Sequence, residues 1–229
     1  MELGQSAGKS YAYLLGVFLG DGCVSRDERD YHIFRLNTID EDFAIATKNA
    51  IANLSSRNVG ISKQVVKKSS RPNYALSCCD QELCKNLVLD TYGKTQIPNF
   101  TMLGSAGEFT VGLMDSEGFV AEKTENKTGR AFYMGFKSCE VWVPEFIKIV
   151  QSVGLKIGKI QIEKPYKEGY KAATRFHIKM QSWVDSGLKF NIARKQDRVD
   201  RWAATVPYSE RSRYPRKLTS ETIRQPSES

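Results

Sequence analysis

The sequence predicts an α+β protein built from two halves related by a pseudo-twofold axis, each running helix, two strands, helix, two strands, helix. Two observations lead there. First, LLGVFLGDG at 14–22 returns as TVGLMDSEG at 110–118, an offset of 96 residues, so the chain carries an internal duplication. Second, the same signals follow each copy in the same order, with strand-like alternation exchanging with runs of helical period.

The opening helix contains AYLLGVFLG, where Gly16 and Gly20 each weaken the helix by roughly 1 kcal/mol relative to Ala. Four residues apart, they share one face, and Gly112 and Ser116 take the matching places in the second copy. Small residues at this spacing let two helix backbones approach closely, so the halves join through the repeated helices. Gly22 and Gly118 read as helix-ending residues in the left-handed conformation. DYHIFRLNT and RAFYMGFK are strand-like, and each precedes an amphipathic helix, DEDFAIATKNAIANL and EVWVPEFIKIVQSVG. ISKQVVKK with NYALSCC, and GKIQIEKP with ATRFHIKM, supply two further strands per half, followed by the helices QELCKNLVLD and SWVDSGLKF. GKTQIPNFTMLGSAG is the linker, ARKQDRVDRWAA one more helix, and the last stretch a polar, Pro-containing tail. The boundaries are therefore 1–92 for the N-terminal half, 93–106 for the linker, 107–206 for the C-terminal half and 207–229 for the basic tail.

With 229 residues, 41% hydrophobic and 26% charged, the chain is long enough for two cores. Its apolar runs fall short of the ~20 residues that span a bilayer and MELGQSAGKS lacks a signal peptide's apolar core, so an intracellular home is expected, in cytoplasm, nucleoid or an organelle. Five cysteines without a C-x-x-C pair argue against disulfides and structural zinc, and read as reduced, mostly buried thiols. Two histidines, His32 and His177, are too few for nuclease chemistry built on clustered imidazoles. Trp142, Trp183 and Trp202 fall in helical stretches and read as core. SAGKS is no phosphate-binding loop, because Leu3 stands where that motif needs glycine and no strand precedes it.

The net charge of +8 is unevenly spread: residues 156–229 hold 17 Lys/Arg against 8 Asp/Glu, whereas residues 1–155 hold 17 against 18. A basic excess of this kind suits a polyanion, most simply nucleic acid. The strands point the same way. In ATRFHIKM, Phe176, Ile178 and Met180 face inward and Arg175, His177 and Lys179 outward; in GKIQIEKP, Ile160 and Ile162 face inward and Lys159, Gln161 and Glu163 outward. Lys63 and Lys67 share one parity in the first half, and Arg35, Asn37 and Tyr133 complete the outward set. Such a face is either merely solvated or reads base edges and phosphates, for which Arg, Lys, Gln and His are suited.

If the repeated helices end on the same side, Asp21 and Glu117 sit together at two negative helix termini. Adjacent carboxylates raise each other's proton affinity unless a cation compensates, and a hard divalent ion accepts such ligands while keeping waters and phosphate oxygens in its shell. Asp21 and Glu117 therefore read as metal ligands.

The two copies resemble the paired motifs of the LAGLIDADG homing endonucleases in their single-chain, two-motif form, most like the compact archaeal rRNA-intron members, over about residues 10–205. The resemblance implies antiparallel sheets forming a saddle on double-stranded DNA and a monomer. It also implies Mg²⁺- or Mn²⁺-dependent double-strand cleavage at the centre of a long asymmetric site, leaving 3′ overhangs. It gives Asp21 and Glu117 the metal-binding role, with Gly20 and Ser116 placed to lend carbonyls, and Lys137 the basic position beside a scissile phosphate, so that Asp21, Glu117 and Lys137 form the catalytic set. Asp115 fills the motif's earlier acidic position opposite Leu19 and reads as structural. The first half departs from the pattern, with Asn37, Thr38 and Ile39 where a lysine is expected. Either one DNA strand is cut more slowly or another residue such as Arg35 serves. Arg211, Arg213, Arg216 and Lys217 of the tail are either DNA-backbone contacts or a solvated charge run. Intron homing is the function implied; the alternatives are an RNA maturase acting on its host intron and a DNA-binding regulator without cleavage.

Overall fold

The computed structural model describes residues 5–65, 71–98, 105–125, 129–165, 168–169 and 171–205. Lys67 and the basic residues of the tail lie outside them. The first half runs α1 (Gln5–Leu19), β1 (Cys23–Arg26), β2 (His32–Thr38), α2 (Glu41–Ala52), β3 (Gly60–Gln64), β4 (Asn73–Cys78) and α3 (Gln81–Asp90). The second runs α4 (Ala106–Ser116), β5 (Gly118–Glu125), β6 (Gly129–Ser138), α5 (Val143–Ser152), β7 (Ile157–Glu163), β8 (Ala173–Ile178) and α6 (Met180–Ser186), and α7 (Ala193–Thr205) follows. Each half folds into one antiparallel four-stranded sheet, ordered β1-β2-β4-β3 and β5-β6-β8-β7. Among the described residues no helix is long and apolar enough to cross a membrane.

α1 and α4 form the seam between the sheets. All residues from Tyr11 to Leu19 are buried, which is why an apolar run with so little polar relief stays helical here. The seam is as close as the small residues allow. A Cβ on Gly16 would stand 2.5 Å from the Phe109 carbonyl oxygen and 2.6 Å from the Leu113 nitrogen, and one on Gly112 would run into the Tyr13 carbonyl. Gly22 and Gly118 differ from expectation: neither has left-handed backbone. Crowding requires them instead, since a Cβ on Gly22 would lie 3.0 Å from the Phe34 ring and one on Gly118 would meet the Met114 carbonyl.

The helix-facing sides of the sheets build the cores. Phe34, Leu36, Leu76 and Cys78 are buried in the first half. In the second, Phe136, Phe146 and Phe176 pack with ring centroids 4.8–5.9 Å apart, and Trp142 lies against Phe136 at 6.1 Å. Trp183 stacks on Phe190 at 4.5 Å, and all three tryptophans are buried. Of the five free cysteines only Cys78 and Cys84 are buried; Cys23, Cys79 and Cys139 are exposed, against the expectation of mostly buried thiols.

Strand alternation holds in the central strands and fails at the edges. Ile160 and Ile162 share the helix-facing parity of Phe176 and Thr174, yet are 51% and 78% exposed, because β7 is the outer strand and, of its isoleucines, only Ile157 is half-covered. Lys63 is paired with Tyr74, a helix-side residue, with its ammonium 5.8 Å from the Tyr74 ring; the open face of β3 carries Ser62 and Gln64 instead. Lys179 leaves the strand, since β8 ends at Ile178 and Lys179 is the N-cap residue of α6, with Met180 its first helical residue.

Candidate active site at the helix seam

α1 and α4 end side by side. A Cβ on Gly20 would collide with the Ser116 side chain and lie 3.3 Å from Glu117 Cγ, so Gly20, Asp21, Ser116 and Glu117 occupy one spot at the end of the seam. Partial loss of water there raises both carboxyls above their ordinary range even though both residues keep solvent access, and the charge of Asp21 raises Glu117 further. Lys94 and Lys195 act in the opposite sense on both.

Those two lysines belong to neither motif. Lys94 follows α3, where Tyr92, Gly93 and Lys94 have φ of 45°, 64° and 74°. For Tyr92 and Lys94 such left-handed backbone costs on the order of 1 kcal/mol each, and the strain turns the chain back toward the seam. The Lys94 ammonium donates to the Gly20 carbonyl at 2.9 Å and lies 5.2 Å from the Phe18 ring; burial lowers its proton affinity, and Cys23, Asp21 and Glu117 oppose that. Lys195 does the same for the other helix, donating to the carbonyls of Met114 and Asp115 at 2.9 and 2.6 Å. It is 3% exposed, and burial brings its ammonium down to about 8. Each cation thus sits on the negative end of one seam helix.

Each lysine is held by the opposite half. Trp142 Nε1 donates to the Lys94 carbonyl at 3.1 Å. Arg194 grips Asp40 with two hydrogen bonds of 2.6 and 2.7 Å, and the Ala193 amide donates to Asp42, fixing the start of α7 on the first half. Asp115, 1% exposed, accepts from the Tyr13 hydroxyl at 3.1 Å and from the Asn191 side chain at 3.0 Å; burial brings its carboxyl up to about 6. It ties α1, α4 and the approach to α7 together, the structural part read from the sequence.

Glu117, Lys94, Lys137, Glu140 and Glu163 line one groove beside Gly20. Lys137, the penultimate residue of β6, pairs with Glu163 at 2.5 Å, and the other Glu163 oxygen takes Arg175 at 3.3 Å. Arg175, Gln161 and Lys137 are cross-strand neighbours on the open face. Arg175 also lies 4.8 Å from the Phe119 ring; Phe119 and Tyr133 are 5.8 and 6.2 Å from the His177 ring. Burial, Arg175 and Lys159 keep His177 below its ordinary proton affinity. On the first sheet, Arg35 and Asn37 are exposed between the buried Phe34, Leu36 and Thr38, so they face outward as read.

Among the described residues no three His, Cys, Asp or Glu side chains gather closely enough to hold an ion alone. Two carboxylates beside backbone carbonyls do suit a hard cation that draws the rest of its shell from water and phosphate. The Gly20 carbonyl, already engaged by Lys94, retains a second lone pair.

Solved structures share this fold. Variants of the homing endonuclease I-DmoI match at TM-score 0.51 with 18% identity, over 80% of this chain and 92% of that one. I-WcaI bound to its DNA recognition sequence matches at TM-score 0.52 with 10% identity, over 81% and 82%. The chain has the LAGLIDADG homing-endonuclease fold. A variant of I-DmoI in complex with its target DNA in the presence of Mg matches at TM-score 0.50 with 16% identity, over 80% of this chain and 97% of that one. No protein-family model and no curated protein matches the sequence. Within this fold α1 and α4 carry the repeated motif, and the acidic end of α4 lies beside Lys137 and Glu163 of the second sheet.

Proposed function

We propose that the chain is a site-specific double-strand DNA endonuclease of the intron-homing type, acting as a monomer. It hydrolyses one phosphodiester per strand at the centre of a long asymmetric site and leaves 3′ overhangs. The observation that supports this most is the pair of intact acids, Asp21 and Glu117, meeting at one end of the seam with a lysine beside each helix end. A regulator that had lost the chemistry has no use for both acids. The likeness to I-DmoI and I-WcaI, two homing endonucleases solved with their DNA, is the second support.

Asp21 and Glu117, with the Gly20 and Ser116 carbonyls, would hold Mg²⁺ or Mn²⁺. Bound there, such an ion activates water and neutralises charge on the phosphoryl oxygens. The chain supplies the rest. Lys94 and Lys195 favour the ionised form of both carboxyls and so offset part of the effect of burial, which still leaves both raised. Lys94 and Lys137 line the groove where charge grows in the transition state, and fixed cations in a partly dehydrated site favour that growth. Arg35 and Asn37 on one sheet, and Tyr133, Lys159, Gln161, Arg175 and His177 on the other, present donors and rings to the duplex on either side.

Asp21→Asn and Glu117→Gln test the reading. With Mg²⁺ and a plasmid library of candidate intron-insertion sites, each variant should lose at least about 1,000-fold in cleavage, while affinity for the same site stays within about threefold. Cutting by either variant at the wild-type rate would remove the acids from the mechanism.

A further inference from the structure

A face built to meet phosphates should offer unpaired cations, yet two of the cations on the open face of the second sheet, Lys137 and Arg175, are engaged by an acid. Glu163 is the one acid among the described side chains on the open face of the second sheet's strands, and its two oxygens hold Lys137 and Arg175. Lys137 is exposed and Glu163 and Arg175 are half-buried, with side-chain exposures of 49%, 32% and 33%, so an approaching ligand can reach all three. Among the described residues the strands of the first sheet carry no acid. There Lys63 lies over Tyr74, and Tyr74 donates to Glu41 on the helix side.

We propose that Glu163 is an acidic gate, a specificity-determining residue that keeps Lys137 and Arg175 from non-cognate DNA and yields them only to a site that also satisfies its own carboxylate. The inference rests on the reading of the protein as a DNA endonuclease. A phosphate that draws Lys137 away leaves the Glu163 carboxylate unpaired beside another anion, which opposes binding. The loss is made good only where the duplex presents a hydrogen-bond donor to Glu163. In the major groove those donors are the exocyclic amines of cytosine and adenine, whereas thymine O4 and guanine O6 turn an acceptor toward the carboxylate. Discrimination thus comes from a repulsive element set beside attractive ones. Because Lys137 is also the groove cation nearest the end of β6, the gate places the same lysine under the control of base identity.

The test is binding of the full chain to a short duplex of unrelated sequence between about 50 and 200 mM salt. Glu163→Gln should bind that duplex roughly fivefold or more tightly at the low-salt end and steepen the log-log salt dependence by about 1 to 2, as one or two freed cations reach phosphates. Glu145→Gln, which removes an exposed charge from the first turn of α5 on the helix layer, should change affinity by less than about twofold. Adding Lys137→Gln to Glu163→Gln should cancel about half of the gain in slope. If Glu163→Gln leaves both affinity and slope at wild-type values while the wild type binds DNA with ordinary salt dependence, the gate is wrong and the endonuclease reading stands. If the wild type binds no duplex even at low salt, that reading falls and the gate with it.

Discussion

Lys94 reaches Gly20 only because three successive residues, Tyr92 to Lys94, hold left-handed backbone, and two of them are not glycine. Strain of that kind persists where the surroundings over-determine it, here through the Phe18 ring below the ammonium and the Trp142 indole on the Lys94 carbonyl. The groove gives the strain a use: a cation that stands between the carbonyl of Gly20 and the acids of both repeats. Lys94→Met should therefore slow single-turnover cleavage by roughly 100-fold, the scale of losing one preorganised charge, with site affinity within about threefold. A variant that cuts at full speed but melts earlier would reduce Lys94 to a helix-end cap. The acids were legible in the sequence because the duplicated motif put Asp21 and Glu117 at matching places. Lys94 and Lys195 were not, since a turn after α3 and a helix anchored on the other half bring them in, and no periodicity records either event.

Close packing of α1 on α4 sets how well the acids converge, because Asp21 and Glu117 follow the last turn of each helix. Backbone touches backbone there, so no side chain can yield when volume is added. Gly112→Ala would drive a methyl into the Tyr13 carbonyl and should cost about 3 kcal/mol, a fall of roughly 6–12 °C in Tm for a chain of this size. Gly8→Ala, in the same helix as Gly16 but with nothing within 4 Å of the new Cβ, should instead gain up to about 1 kcal/mol. Equal effects in thermal melts would mean that the seam tolerates separation. The order of elements was readable because long periodic runs carry their own signal. The edge strands were not: β3 is exposed at nearly every position, so alternation could not fix which face Lys63 takes, and β7 carries a register shift between Ile157 and Ile160 with no helix over its far end. The helix-ending glycines misled for a related reason. Gly22 and Gly118 answer to crowding by Phe34 and Met114, partners that only the tertiary structure supplies.

Across the whole molecule, the basic side chains of α7 are spent on contacts within the protein. Arg194 is spent on Asp40, Lys195 on the end of α4, Arg198 on the Val120 carbonyl and Arg201 on Glu122, so α7 fastens the halves before it can attract a polyanion. What remains for DNA is unequal. Lys137 stands at the end of β6, while the matching end of β2 offers Asn37, the buried Thr38 and Ile39. For the endonuclease proposed above, a symmetric acid pair with an asymmetric second set of groups implies two scissile phosphates attacked at different rates. A supercoiled plasmid should pass through a nicked circle before it becomes linear. Lys137→Ala should lengthen that stage by slowing one strand about 100-fold while the other stays within about threefold, the range that removal of a single charged group covers. Duplexes labelled on one strand at a time, followed in single-turnover assays, separate the two rates. Equal slowing of both strands would show that Lys137 acts on the shared centre, and no slowing of either would return it to an exposed strand end.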